Sequence, residues 1–350
     1  MRDRDRGPVD LYSTCPQSSG YGTGPEYLDA VIRTARWSDA QSCAGMLIYT
    51  DNSLVDPWLV AQTVIEHTER LSPLVAIQPA YMHPYSVANM VASLSFLYGR
   101  RMSLNFVAGG FRNDLLALGD ETPHDDRYRR ITEYATIILD LLRGREPVTL
   151  EGDHYRVKNL KLTPKLPAEL FPVVLMSGSS PAALETARKL DATAIRYPQD
   201  PEKEQDAPRP TDVQMGLRVG IVARHDAADA WQEAERRFPA DREGQIMHEL
   251  AMKTSDSQWH KQLSADAAAS SRNGSGNAED GAVRSPYWLH PFQQYKTFCP
   301  YLVGTYERVG AEIARYVAMG DRALIVDIPQ AEDDLAHTNR VLTHVAAESM

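Results

Sequence analysis

Cysteine is scarce in this sequence. Cys15, Cys43 and Cys299 are the only three, and no two stand in a Cys-x-x-Cys pair. That excludes a disulfide framework and a thiolate metal cluster and leaves reduced thiols. Long apolar runs are missing too, and the opening MRDRDRGPVDLYST has no signal-peptide character, so a cytoplasmic chain with no membrane partner is expected. Positive charge is in deficit: 37 Lys plus Arg against 47 Asp plus Glu give −10, opposite to the basic footprint that nucleic acid requires. His-Glu-x-x-His, a Walker-type P-loop and Gly-x-Ser-x-Gly are all absent, and GYGTG at Gly20 lacks the glycine spacing of a dinucleotide fingerprint. No metal site is read.

What is present is ordinary globular material, 350 residues of which 43% are hydrophobic. Short β-rich runs begin at Val9, Gly45, Leu74, Met102, Pro172, Thr193, Met215 and Ala323. Segments of helical period lie between them. In YRRITEYATIILDLL, for example, Tyr128, Ile131, Ala135, Ile138, Leu139 and Leu142 share one face. Eight strand and helix pairs predict an α/β fold, a (β/α)8 TIM barrel. Three stretches interrupt it: a hairpin at VTLEGDHYRVKNLKL, the charged PQDPEKEQDAPRPTD, and Met247 to Tyr306. The last holds SADAAASSRNGSGNAEDGA, whose composition suits a mobile segment before the eighth strand, read equally as a lid or as an insertion without function.

The run LMSGSSPAALETARKL ends a strand in Ser-Gly-Ser-Ser and starts a helix at Pro181, with Ser180 as N-cap. Gly178 lets the backbone turn and approach a ligand, while Ser179 and Ser180 place hydroxyls beside the unpaired N–H groups of the helix start. Such a turn suits a phosphate, although an N-cap serine also stands without one. The fourth strand ends NFVAGGFRND, where two glycines suit close approach of a flat ring or a plain turn. His124 and Tyr128 in HDDRY lie one helical turn apart and offer donors to a second ligand group.

These pieces, in this order, resemble the bacterial luciferase-like flavin-dependent monooxygenase superfamily, and within it the alkanesulfonate monooxygenase branch. The resemblance runs from about Val9 to Val345 and rests on GMLIYTDNSLVDPWLVAQTVIEHTERL, the NFVAGG block with its following helix, VVLMSGSSPAALETA and MGLRVGIVARHDAADAW. It implies one barrel domain over residues 1–350, with insertions at about 143–171, 198–214 and 247–306. It also implies a two-component oxidoreductase that takes reduced FMN from a separate flavin reductase and reacts it with O2 to a flavin peroxide. That species then oxygenates a small organic substrate. A homodimer or homotetramer is implied as well. By position, Gly178, Ser179 and Ser180 would hold the FMN phosphate, Tyr128 and His124 the ribityl-phosphate end, and Thr50, Asp51 and Ala108 the isoalloxazine. An F420-dependent hydride-transfer enzyme and a non-catalytic flavin-binding barrel are the alternatives.

Departures from the branch bear on the substrate. Its cysteine after the second strand is here Leu54, its histidine near the seventh strand is Gly220, its tyrosine and histidine near the eighth are Ile328 and Gln330, and its histidine after the first is Cys15. Arg218 is kept and is the candidate for holding an anion or a peroxide, or else a barrel-layer salt bridge. Cys15 would touch flavin or substrate, or be an inert buried thiol. Tyr287, Trp288, His290 and Tyr295 would close over an aromatic substrate or simply pack. A short alkanesulfonate is disfavoured.

Overall fold

Each of the eight expected strand runs forms a strand. The computed structural model describes residues 9–109, 112–204, 209–254, 262–265 and 284–348. The parallel strands are β1 (Asp10–Thr14), β2 (Gly45–Ile48), β3 (Ser72–Ile77), β4 (Ser103–Val107), β7 (Val174–Ser177), β8 (Thr193–Arg196), β9 (Met215–Arg224) and β12 (Asp321–Val326), and they make a (β/α)8 barrel fold. The expected hairpin is β5 (Val148–Glu151) with β6 (Arg156–Leu160). Two further strands, β10 (Tyr287–Trp288) and β11 (Tyr301–Thr305), come from the stretch read as an interruption, and residues 266–282 of its Ser- and Gly-containing part lie outside the described residues. Contacts divide the chain into two compact units, Tyr12–Ile195 and Met1–Leu11 with Arg196–Met350.

In the first unit β1, β2, β3, β4, β7 and β8 pair in that order. The helices α1 (Gly24–Ala40), α2 (Pro57–Glu66), α3 (Pro84–Tyr98), α4 (Arg112–Ala117), α5 (His124–Leu142) and α6 (Pro181–Leu190) connect them. Local chemistry sets several starts: the side chains of Thr23, Asp56, His83 and Ser180 cap α1, α2, α3 and α6, each with proline at the first or second position. Phe106 meets Tyr134 of α5 edge-on at 6.4 Å, and Ser13 Oγ lies 2.6 Å from Ser38 Oγ of α1. Those residues therefore face the helices, and by strand alternation Asn105 and Val107 face away from them. The hairpin turn is fastened to α5 by one carboxylate: Glu133 accepts from the amides of Asp153, His154 and Tyr155 at 2.9–3.0 Å.

In the second unit the ten residues of β9 serve two partners. Arg218 is in register with Ile325 of β12, and Gly220 with Tyr301 of β11. The helices here are α7 (Pro201–Glu204), α8 (Ala227–Arg237), α9 (Arg242–Thr254), α10 (Tyr306–Ala318) and α11 (Asp333–Glu348), with a short helical turn at His290–Gln293. The charged stretch after β8 contributes to a buried quartet. Arg196 donates to Glu204 at 2.6 Å and to Asp321 at 2.9 Å, while Arg209 donates to Asp321 at 2.9 Å and to Glu204. Among the described residues no helix is long and apolar enough to cross a membrane.

Candidate functional site

The turn between β7 and α6 is built as its sequence suggests. Ser180 is the N-cap, its Oγ accepting from the Ala183 amide at 3.2 Å. Gly178 has φ +143°, and a Cβ there would sit 2.7 Å from Tyr128 Oη and 2.8 Å from Ala183 Cβ. Both conformation and room thus demand glycine. The Tyr128 phenol hydrogen-bonds the Ser180 hydroxyl, and burial pushes its pKa up against that bond, so it stays protonated and can donate. Thr132 and Thr186 both donate to the Tyr128 carbonyl, at 3.0 and 3.4 Å, and the Thr186 bond ties α6 to α5. The His124 ring meets Tyr128 at 5.2 Å, and its Nδ1 lies 2.8 Å from Asp125 Oδ1. Five expected residues, His124, Tyr128, Gly178, Ser179 and Ser180, therefore belong to one cradle at the starts of two helices.

A second group gathers at the ends of β2, β3 and β4. Thr50 and Asp51 follow β2, and Asp51 Oδ1 accepts from the Ser53 amide at 2.9 Å and hydroxyl at 2.5 Å. Asn52 donates to the Asp114 carbonyl at 3.0 Å and accepts from Tyr81 at 2.5 Å, joining the loops after β2 and β3 to α4. Burial, then Asp51, raises the Asp114 pKa, and burial lifts Tyr81 to about 12. Ala108 is buried, and Gly109 has φ +87° with Leu115 and Gln78 packed over it. Gly110 lies outside the described residues. Sequence reasoning passed over Gln78, Asn105 and Ser177, whose Oγ donates to Asn105 Oδ1 at 3.0 Å. Their signal was a polar residue inside or just beyond an apolar strand.

Cys15 stands apart from both groups. Its thiol is hydrogen-bonded to Tyr27 of α1 and burial pushes it up to about 12, which keeps it protonated and turned toward the helix layer.

Arg218, in the other unit, has its Nη2 3.8 Å from Asp327 Oδ1 and a hydrogen bond to Cys299, whose thiol burial lifts to about 12. Asp327 Oδ2 accepts from Thr297 at 2.6 Å and Tyr301 at 2.9 Å. Burial followed by Asp327 holds the Tyr301 phenol well above its ordinary value. A Cβ on Gly220 would clash with carbons of the Tyr301 ring, so glycine there and tyrosine at 301 are a matched pair. Neither Tyr301 nor Asp327 was picked out from the sequence. The one available hint was an aspartate closing the apolar run ALIVDI.

The aromatic set before β12 packs on itself. Trp288 stacks on His290 at 5.3 Å and meets Trp231 edge-on at 5.6 Å, and Tyr287 donates to the Pro198 carbonyl at 2.9 Å. Tyr295 meets Phe298 edge-on at 5.6 Å and His248 of α9 at 6.4 Å. Among the described residues no group of three or more His, Cys, Asp or Glu could hold a metal ion.

His248 lies against Phe292 at 4.5 Å, and burial depresses its pKa below the ordinary 6.5, as it does for His290 and His337. Above pH 6.5 the histidines are neutral folded and unfolded alike. Below it the unfolded chain takes protons first, so stability falls with pH. Urea titrations at pH 7.5, 6.5 and 5.5 should show this loss, at most about 1.4 kcal/mol per pH unit for each histidine. His248→Phe should flatten the slope, and an unaltered slope would reject the assignment.

Comparison with known proteins adds to this geometry. The luciferase-like monooxygenase family pattern matches residues 11–323. The 4-(gamma-L-glutamylamino)butanoyl-[BtrI acyl-carrier protein] monooxygenase BtrO of Niallia circulans is 32% identical over 339 residues, 95% of this chain and 96% of that protein. Among solved structures, EDTA monooxygenase from Chelativorans sp. BNC1 is similar with TM-score 0.69 at 15% identity, covering 98% of this chain and 95% of the other. The oxygenating constituent of 3,6-diketocamphane monooxygenase from Pseudomonas putida, in complex with FMN, has TM-score 0.65 at 16% identity, covering 97% and 98%.

Proposed function

The chain belongs to the luciferase-like monooxygenase family, and from that premise we propose that it binds reduced FMN delivered by a separate flavin reductase and uses it with O2 to oxygenate a small organic substrate. The observation carrying the cofactor assignment is the cradle at Gly178. A helix N-terminus, the hydroxyls of Ser179 and Ser180 and a buried protonated Tyr128 converge around a position where no side chain fits. This donor set suits a phosphate dianion.

Bound FMN supplies the electrons that activate oxygen. The chain's own work is to bind, orient and keep the reaction dry. Ser179, Ser180, Tyr128 and His124 hold the phosphate end. Thr50, Asp51 and Ala108 line the ring end, with Gln78 and Asn105 offering amides. Arg218 is paired with Asp327 and hydrogen-bonded to Cys299 within its own unit and is given no part in holding the cofactor. The match to BtrO along nearly both full lengths favours a second reading of the substrate, an acyl group borne on a carrier protein.

Anaerobically reduced FMN with the protein, mixed rapidly with oxygenated buffer, should show a protein-dependent absorbance transient absent from the protein-free control. Reoxidation identical to the control, with no FMN binding, would overturn the reading. Tight binding of reduced F420 without an oxygen-dependent transient would favour hydride transfer instead.

A further inference from the structure

We propose that Asp120 is a positioning residue for the cofactor site: with Arg130 it clamps the start of α5 and so holds His124 where it meets the phosphate end of FMN. The inference rests on the cofactor reading above and stays within the unit Tyr12–Ile195. Its starting point is a missing cap. The helices α1, α2, α3 and α6 each begin under a side chain that accepts from an early amide, whereas Pro123 at the start of α5 offers none. A helix start without a cap frays unless something else holds it.

Arg127 and Arg130, one turn apart, supply that hold. Arg130 donates to Asp120 Oδ2 at 2.5 Å and to Thr122 Oγ1 at 3.2 Å, and Arg127 donates to the Thr122 carbonyl at 3.2 Å. The Thr122 amide closes the turn onto Asp120 Oδ1 at 3.1 Å. Asp120 donates its own amide to the Leu115 carbonyl at 2.9 Å, so its backbone belongs to the end of α4 while its carboxylate grips α5. The side chains of Asp120 and Arg130 keep only 8% and 15% exposure, which spares the pair most of the screening that weakens a surface ion pair. Burial would raise the Asp120 pKa, but the bonds from Arg130 and Thr122 outweigh it and bring it to about 2, so the clamp is charged throughout the neutral range.

The two donors that α5 offers the phosphate depend on this clamp unequally. Tyr128 has a hold of its own, since its phenol bonds Ser180 and its carbonyl accepts from Thr186. His124 is the first residue of α5, two beyond Thr122, and its Nδ1 bonds the adjacent Asp125, which moves with it. Opening the clamp therefore frees His124 and leaves Tyr128 in place. Both Asp120 oxygens are spent on Arg130 and Thr122, so Asp120 acts through His124 rather than on the cofactor.

Anaerobic titration of the full chain with reduced FMN, read by protein fluorescence, tests this as a double-mutant cycle. His124→Ala and Asp120→Asn should each weaken reduced FMN about tenfold, as expected for one hydrogen bond to a charged group. Together they should weaken it no more than His124→Ala alone. A clamp that only supports the fold would give losses that multiply. Arg130→Lys takes the place of Asp120→Asn if that variant does not fold, and if neither folds the pair serves the fold and the proposal fails. Native affinity in the folded Asp120→Asn variant, native affinity in His124→Ala, or losses that multiply overturns the proposal while FMN binding stands. If the native chain binds no reduced FMN, the cofactor reading falls and takes the proposal with it.

Discussion

Asp321→Ala should lower the stability of the protein by about 3–5 kcal/mol, the usual cost of stripping one partner from a buried ion pair. Asp321 is 1% exposed and receives both Arg196 and Arg209 at 2.9 Å. Without it, Glu204 is left to balance two guanidinium groups that are largely shielded from water. Asp321→Asn keeps the size and one acceptor oxygen but loses the charge, and should fall between the variant and the native protein. Denaturant unfolding at pH 7.5 measures both. A loss under about 1 kcal/mol in the alanine variant would mean that the quartet is hydrated or can rearrange.

The second large effect is on the cofactor. Ser179→Ala combined with Ser180→Ala should weaken FMN by about 1–3 kcal/mol, through lost hydrogen bonds to a charged group. That is roughly a 5- to 150-fold rise in Kd, read by quenching of flavin fluorescence. Ser180 is also the cap of α6, so the double variant should lose about 1 kcal/mol of stability as well. Ser179→Ala alone leaves the cap in place and separates the two effects. Unchanged FMN affinity in a folded double variant would remove the phosphate assignment.

Features set by neighbours in the chain were legible beforehand. Pro181 and Ser180 fix the start of α6 by their own backbone preferences, and α6 runs Pro181–Leu190 as its spacing predicts. Short apolar runs located all eight barrel strands, and the four-residue separation of His124 and Tyr128 placed both on one side of α5. Features made by distant partners were not. YLVGT reads as a strand only once the second half of β9 is known to need a neighbour. The charged stretch after β8 looks like solvated surface until Asp321, more than a hundred residues on, gives its Arg209 a partner. Nothing local announces that glycine at 220 answers to a ring at 301. The inward set of Gln78, Asn105 and Ser177 likewise emerges only when Phe106 is seen against α5.

Three consecutive amides at the hairpin turn converge on Glu133, and Gly152 is packed so closely against that carboxylate that no side chain fits. Glu133 sits five residues beyond Tyr128 on the same helix, so the hairpin is anchored to the element that carries the cradle. Deleting the hairpin would strand a carboxylate on that helix, and replacing Glu133 with an apolar residue would leave three amides seeking water. Loop and clasp therefore stand or fall together, because removing either leaves the polar groups of the other without their partners.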